Sequence, residues 1–265
     1  MIKILFLGDI VGRPGRTIIK ELIPVLVAEH DIDVVVANGE NSAGGTGIDP
    51  NTAGDMFASG VNIITTGNHV WKRKDIFDYI KLNQTRIIRP LNYPPGVAGA
   101  GSTRIIINKN GKDTTIWVVN LHGRTFIDEV LDCPFRVAEK FVQGRDSNEI
   151  ILVDFHAEAT SEKGAMGWFL DGKVTAVIGT HTHVQTADER ILPQGTAFIS
   201  DAGMCGAIDS ILGVEVEPIV SSFLTGLPVR FEVPNKGEAM LNGVVIECDE
   251  NTGRATGIER IRASL

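Results

Sequence analysis

The chain alternates short apolar runs with amphipathic stretches, and each apolar run stops at a polar cluster. Ile2 to Leu7 predicts a buried strand ending in Gly8-Asp9. A turn follows at Ile10 to Gly15, then helical periodicity from about Arg16 to His30. Asp33 to Ala37 predicts a second strand, ending in Asn38-Gly39-Glu40-Asn41. A short helix from about Pro50 to Ser59 leads to a third strand, Val61 to Thr66, which ends in Gly67-Asn68-His69. Strands and helices at this spacing predict a mainly parallel sheet covered by helices.

Further along, Trp71 to Leu82 has a helical pattern, and Arg89 to Gly96 reads as an irregular loop. Ser102 to Asn108 and Thr114 to Asn120 flank Asn110-Gly111, a hairpin signal. A helix is expected over Pro134 to Gln143, then a strand over Glu149 to Asp154, ending in Phe155-His156-Ala157-Glu158. Val174 to Ile178 is a β-branched run that opens onto Gly179-Thr180-His181-Thr182-His183. If extended backbone persists through Thr182, the two imidazoles share one face. Beyond Asp201 the chain reads as β-rich, with Val229 to Val233, Leu241 to Glu247 and Thr256 to Ile261 as strands. Ile211, Leu212, Phe223 and Leu224 are apolar positions that either cover the core or form a subunit contact. No repeat, low-complexity tract or linker divides the chain, so one domain over residues 1–265 with two packed sheets is expected.

A net charge of -8 argues against a broad cationic face for duplex nucleic acid. A small anionic substrate stays open, because metal ions outweigh global charge locally. The N-terminal apolar run is too short for a signal peptide, and no stretch is long enough to span a membrane. The three cysteines, Cys133, Cys205 and Cys248, are too scattered for a thiolate zinc knuckle or a disulfide frame. A reducing cytoplasm is therefore the expected compartment.

The chemistry lies where strands end. Asp9, Glu40 and Asn41, Asn68 and His69, His156, and finally His181 and His183 all follow apolar runs, and ligand sites in α/β sheets collect at such ends. Singly, each has a plain explanation: Asp9 as a helix cap, Asn68 as a turn residue, His156 as a packed core histidine. Four of the six histidines falling in these clusters makes coincidence a poor account. Carboxylate, amide oxygen and imidazole without thiolate suit manganese, iron, zinc or magnesium. The donors exceed the needs of one ion, and two ions sharing a carboxylate suit hydrolysis of a phosphate ester. A dinucleotide-binding reading of the first turn fails, because Asp9 stands where the glycine fingerprint would continue.

The order Gly8-Asp9, Gly39-Glu40-Asn41, Gly67-Asn68-His69, His156, Gly179-Thr180-His181-Thr182-His183 resembles the calcineurin-like metallophosphoesterases, most closely their YmdB-like bacterial branch. The likeness runs over nearly the whole chain and includes Asp154 to Lys163. Three positions depart from the wider superfamily. Val11 replaces a histidine, Glu40 an aspartate, and Val70 an acid. The branch implies a repair in which the longer Glu40 bridges and Asn41 supplies an oxygen.

The resemblance implies an α/β fold (α+β in some schemes), a four-layer αββα sandwich of two mixed β-sheets flanked by helices. It implies that Asp9, Glu40, Asn41 and His183 bind one ion, and Glu40, Asn68, His156 and His181 a second. Iron or manganese is the expected metal, with zinc or magnesium as alternatives. His69 would protonate the leaving oxygen without ligating. The implied substrates are small phosphodiesters, 2',3'-cyclic nucleotides first, with no membrane partner. Homo-oligomerisation is a further expectation. Arg13, Lys72, Arg73 and Arg124 are candidates to steer phosphate, and the 43–47 and 203–206 loops are candidate pocket walls. Two rival readings are a regulatory protein that keeps the metal site with little turnover, and a metal amidohydrolase. The second is disfavoured because its His-x-His pair follows the first strand.

Overall fold

The computed structural model describes residues 1–264 apart from 110 and 147. Its first half supplies β1 (Ile2–Leu7), β2 (Asp9–Ile10), α1 (Gly12–His30), β3 (Val34–Asn38), α2 (Pro50–Ala58), β4 (Ile63–Thr65), α3 (Ile76–Leu82), β5 (Ser102–Lys109) and β6 (Lys112–His122). The second half supplies α4 (Pro134–Val142), β7 (Ile150–His156), α5 (Thr160–Leu170), β8 (Ala176–Thr180), β9 (Arg190–Ile191), β10 (Ala197–Ile199), β11 (Met204–Ala207), α6 (Val216–Thr225), β12 (Ala239–Cys248) and β13 (Ala255–Ser264).

The strands form two mixed sheets. One runs β2-β11-β12-β1-β3-β4, with β13 added on β12; the other runs β5-β6-β7-β8-β10-β9. In the first, β1, β3 and β4 are parallel and β12 is antiparallel to β1. In the second, β6, β7, β8 and β10 are parallel, with β5 and β9 antiparallel at the edges.

Side-chain alternation turns these sheets into four layers. Ile2, Ile4 and Phe6 of β1 face Ile116, Ile150, Leu152 and Ile178 of the other sheet. Their neighbours Leu5 and Leu7 face the other way, onto Ile18, Ile19 and Ile23 of α1. On β7, Ile151, Val153 and Phe155 pack against Ala138 of α4 and Met166 and Leu170 of α5. Three apolar layers therefore separate helix, sheet, sheet and helix, and the expected αββα sandwich is what forms. No helix among the described residues is long and apolar enough to cross a membrane.

Most elements match the expected spans, with instructive exceptions. The helix over Trp71 to Leu82 is confined to α3, because residues 69–75 turn to deliver His69 and then Trp71, which stacks on Phe77 at 4.8 Å. The region after residue 210 is not β-rich at its start: α6 occupies it, and only Ile219 of that helix is buried. Val229 to Val233 is an irregular segment rather than a strand. The hairpin closes between Lys109 and Lys112 with Gly111 at φ 79°, and Asn110 lies outside the described residues.

Candidate metal centre

Parallel strands end together, and both sheets offer their carboxyl ends to one place. Asp9 follows β1, Glu40 and Asn41 follow β3, and Asn68 and His69 follow β4; His156 ends β7, and His181 and His183 follow β8. Glu40 Oε1 lies 3.3 Å from His156 Nε2, across the two sheets. His181 Nδ1 and Asn68 Oδ1 each stand 3.0 Å from the same nitrogen. The donor atoms of Glu40, His156 and His181 all fall within 4.8 Å of one another. Beside them, Asp9 Oδ1 lies 3.8 Å from His183 Nε2. Asn41 links the groups: Nδ2 lies 3.1 Å from Glu40 Oε1 and 3.2 Å from His183 Nε2, while Oδ1 is 2.7 Å from His69 Nδ1. An amide's oxygen and nitrogen are assigned from their partners, so a flip exchanges which atom faces His183.

The two late histidines converge by a route other than extended backbone. His181 has φ 98° and His183 φ 64°, both in the left-handed region. Such residues cost about 1–3 kcal/mol each and persist only where the surroundings hold them. Asp201 does so here. Its Oδ2 accepts from Thr182 N–H at 3.0 Å, Thr182 Oγ1 at 2.7 Å and Lys163 Nζ at 2.7 Å, and its Oδ1 accepts from Gly203 N–H at 2.8 Å. Gly203 in turn receives Asp9 N–H on its carbonyl at 3.0 Å. The buried Lys163–Asp201 pair thus ties the histidine turn to the backbone of Asp9.

Each imidazole also has one nitrogen occupied by the protein, the arrangement that metal-ligating histidines adopt. Thr180 Oγ1 donates to Asp154 Oδ1 at 2.7 Å and so receives His156 Nδ1 at 2.9 Å. That leaves Nε2 aimed at the cluster. His181 Nε2 is held by Glu158 Oε2 at 3.1 Å, leaving Nδ1. His183 donates Nδ1–H to Leu212 O at 2.9 Å, leaving Nε2. His122, paired in register with His156, holds Gly123 O with Nδ1, and its buried Nε2 has no partner among the described residues.

The electrostatics call for positive charge at the same point. Burial alone would raise the Glu40 carboxyl, yet His156 and then His69 hold it well below the usual carboxylate range. Burial also opposes charge on His156, but the Glu40 and Asp9 carboxylates prevail and lift it to about 9. His181 is pushed down to about 3 by burial and then by His156, so it stays neutral. Burial raises Asp9, whose Oδ1 has no hydrogen-bond partner among the described residues. A proton on His156 answers this demand, and a cation in the same place would answer it better, since metal and proton compete for such donors. The donor set and the orphaned carboxylate oxygen therefore fit a bound metal.

Gly67 shows how closely the strand ends approach. A Cβ there would collide with the His156 ring at Nε2 and with Glu40 Oε2. Gly67→Ala is expected to push both side chains off their positions and lower bound metal at least tenfold, read by elemental analysis of the purified protein; wild-type metal content would show that the approach has slack.

Other candidates fall elsewhere. Arg13 lines a separate groove with Arg16 and Lys20. Arg73 braces the glycine-rich loop through the carbonyls of Ala43 and Thr46. Neither they nor Lys72 and Arg124 line the cavity over the donors. That cavity, about 350 Å³, includes Gly44, Gly45 and Thr46 as expected, but not the 203–206 stretch, most of which is β11 paired to β2 beside Asp9. Cys205 is buried there, its thiol pushed up to about 12 by burial. Sequence reasoning gave no role to Glu158, Thr180, Lys163 or Asp201. Glu158 and Thr180 each lie one or two residues from a candidate ligand, a proximity that marks them; Lys163 and Asp201 carry no local signal.

The family described as YmdB-like protein matches residues 5–261. The 2',3'-cyclic-nucleotide 2'-phosphodiesterase of Bacillus subtilis (strain 168) is 48% identical over 260 residues, covering 98% of this chain and 96% of that protein. Two crystal structures superpose over 99% of this chain. One, a hypothetical protein from Thermus thermophilus, has a TM-score of 0.89 and 36% identity over 99% of its own length. The other, described as a novel phosphatase from Mycoplasma pneumoniae, has a TM-score of 0.91 and 38% identity over 93% of its length.

Proposed function

Since the chain belongs to the YmdB-like family of calcineurin-like metallophosphoesterases, and so is a metal-dependent hydrolase of phosphodiesters, we propose that it is a dinuclear enzyme acting on 2',3'-cyclic nucleotides. The whole chain, residues 1–265, serves as one metallophosphoesterase domain, working in the cytoplasm. Asp9, Glu40, Asn41 and His183 hold one ion; Glu40, Asn68, His156 and His181 hold the other. A donor set of oxygen and imidazole nitrogen suits iron, manganese, zinc or magnesium, and membership of the family favours iron or manganese among them. When bound, such a pair polarises the phosphoryl oxygens and supplies an activated water.

The protein's own residues do the rest. Glu40 keeps the two donor groups at a fixed separation, and supports the dinuclear reading best: one oxygen lies within 3.3 Å of both Asn41 Nδ2 and His156 Nε2. His69 Nδ1 lies 2.7 Å from Asn41 Oδ1 and 3.3 Å from Glu40 Oε1, which fixes the ring and leaves Nε2 toward the cavity. As the P–O bond breaks, Nε2 gives its proton to the leaving ribose oxygen, and the ring opens to a phosphomonoester.

The test is metal stoichiometry with turnover of a 2',3'-cyclic nucleotide. Two ions per chain are expected. His69→Ala should keep both and lose about 10²–10⁴-fold in kcat. One ion per chain with full turnover would overturn the dinuclear assignment. Equal background rates in wild type, Asp9→Asn and His69→Ala would make the chain a binder rather than an enzyme.

A further inference from the structure

The cavity over the metal donors has more wall than a phosphate needs. One side is polar, with the Gly44-Gly45-Thr46 turn and the ligand cluster. The other is apolar: Val11, Leu212, Val214, Phe231 and Val233. Phe231 is 64% exposed and Leu212 47%, and neither belongs to any of the three apolar layers of the fold. Val233 is half-buried against two glycines, one methyl 2.6 Å from where a Cβ on Gly45 would stand and the other 2.8 Å from one on Gly12. It carries the chain past the cavity and sets Phe231 at the mouth. The Phe231 ring pairs with no aromatic or cationic side chain among the described residues.

The charges narrow the occupant. Among the described residues, no lysine or arginine lines this cavity, and Glu158 does. A second phosphate or another anionic extension therefore finds no partner here. A flat, uncharged group with apolar faces and a polar edge does. Phe231, Leu212 and Val233 offer the faces a surface, and Thr46, whose Oγ1 and N–H make no hydrogen bond among the described residues, faces the edge.

We propose that Phe231, with Leu212 and Val233, forms a nucleobase subsite that stacks the base of the diester whose phosphate reaches the metal donors. This rests on the diesterase reading for which end of the substrate faces the metals. Base–aromatic stacking is sequence-tolerant, so the subsite selects for the presence of a base rather than for one base. It acts on binding, so it shows in KM rather than kcat.

The test compares adenosine 2',3'-cyclic phosphate with glycerol 1,2-cyclic phosphate, which has the same reacting ring and no base, on the metal-loaded protein. Wild type should prefer the nucleotide. Phe231→Ala should reduce that preference about tenfold or more, through KM, and Phe231→Trp should restore it. Equilibrium binding of adenosine 3'-monophosphate, which needs no turnover, should weaken in parallel. If wild type and Phe231→Ala hydrolyse both cyclic phosphates with the same preference, the subsite falls and the diesterase stands. If neither is hydrolysed but the alanine variant loses nucleotide binding, the subsite stands and the diesterase falls. If the substitution changes the oligomeric mass and leaves nucleotide binding intact, the ring belongs to a contact between copies, and the subsite falls.

Discussion

Glu40→Gln is expected to lower metal-dependent turnover more than a hundredfold while leaving the metal-free protein folded. Residues that merely orient a ligand cost about 10–100-fold in affinity or activity, and Glu40 sits closer than that. Its carboxylate stands among Asn41, His69 and His156, held ionised by the two imidazoles although it is 1% exposed. Glutamine fills the same volume, keeps one acceptor oxygen and removes the charge. A neutral amide is cheaper to bury than a carboxylate, so the fold does not suffer. What disappears is the stabilisation that metal confers on the folded state, about 2.7 kcal/mol at a hundred times Kd. At roughly 2–4 °C per kcal/mol in chains of this size, the metal-induced rise in Tm should shrink by about 5–11 °C. Thermal melts with and without manganese, alongside turnover, make the measurement. Unchanged activity in Glu40→Gln would remove the shared ligand and with it the two-ion site.

The second large effect concerns a pair that touches neither metal nor substrate. Lys163→Met leaves Asp201 buried without its cation, and breaking a buried pair from one side costs about 3–5 kcal/mol. A fall in Tm of roughly 6–20 °C follows. The double variant Lys163→Met/Asp201→Asn removes the stranded charge and should recover most of that loss. It should not recover the site. Asp201 accepts from both polar groups of Thr182 and from Gly203, and an asparagine there turns a donor toward one of those N–H groups. The left-handed His181 and His183 then lose the contacts that hold them, and metal affinity should stay about 10–100-fold weaker, measured by calorimetric titration. A double variant that binds metal like wild type would make the ion pair a matter of folding alone.

The contrast between those two experiments tracks what the chain states openly. An apolar run and the residue after it are local, so Asp9, Glu40, Asn68 and His156 could be placed at strand ends from the order of residues. The same runs predicted helix-covered, mainly parallel strands and two packed sheets, whereas the αββα order of layers came from the family resemblance. The backbone at His181 and His183 was not legible, because a positive φ at histidine has no local mark and depends on Asp201, far along the chain. Helix α6 was hidden by its Val, Ile, Phe and Thr content, residues that favour strands when they pack on a sheet, which these do not. Val229 to Val233 alternates apolar and polar like a strand. It has no strand to pair with among the described residues and instead lays Phe231 and Val233 over the cavity.

Ile2 lies beside Cys248, and all of β1 leans on β12. A ribosome adds about 5–20 residues per second, so the nascent β1 waits roughly 12–50 s for that neighbour to be made. Until then its open edge invites wrong pairing, the hazard of any unprotected strand. Asp9, two residues beyond β1, cannot be fixed before β12 has been made. The donor cluster of Asp9, Glu40, His156 and His181 is therefore assembled only once the distant β12 has joined β1.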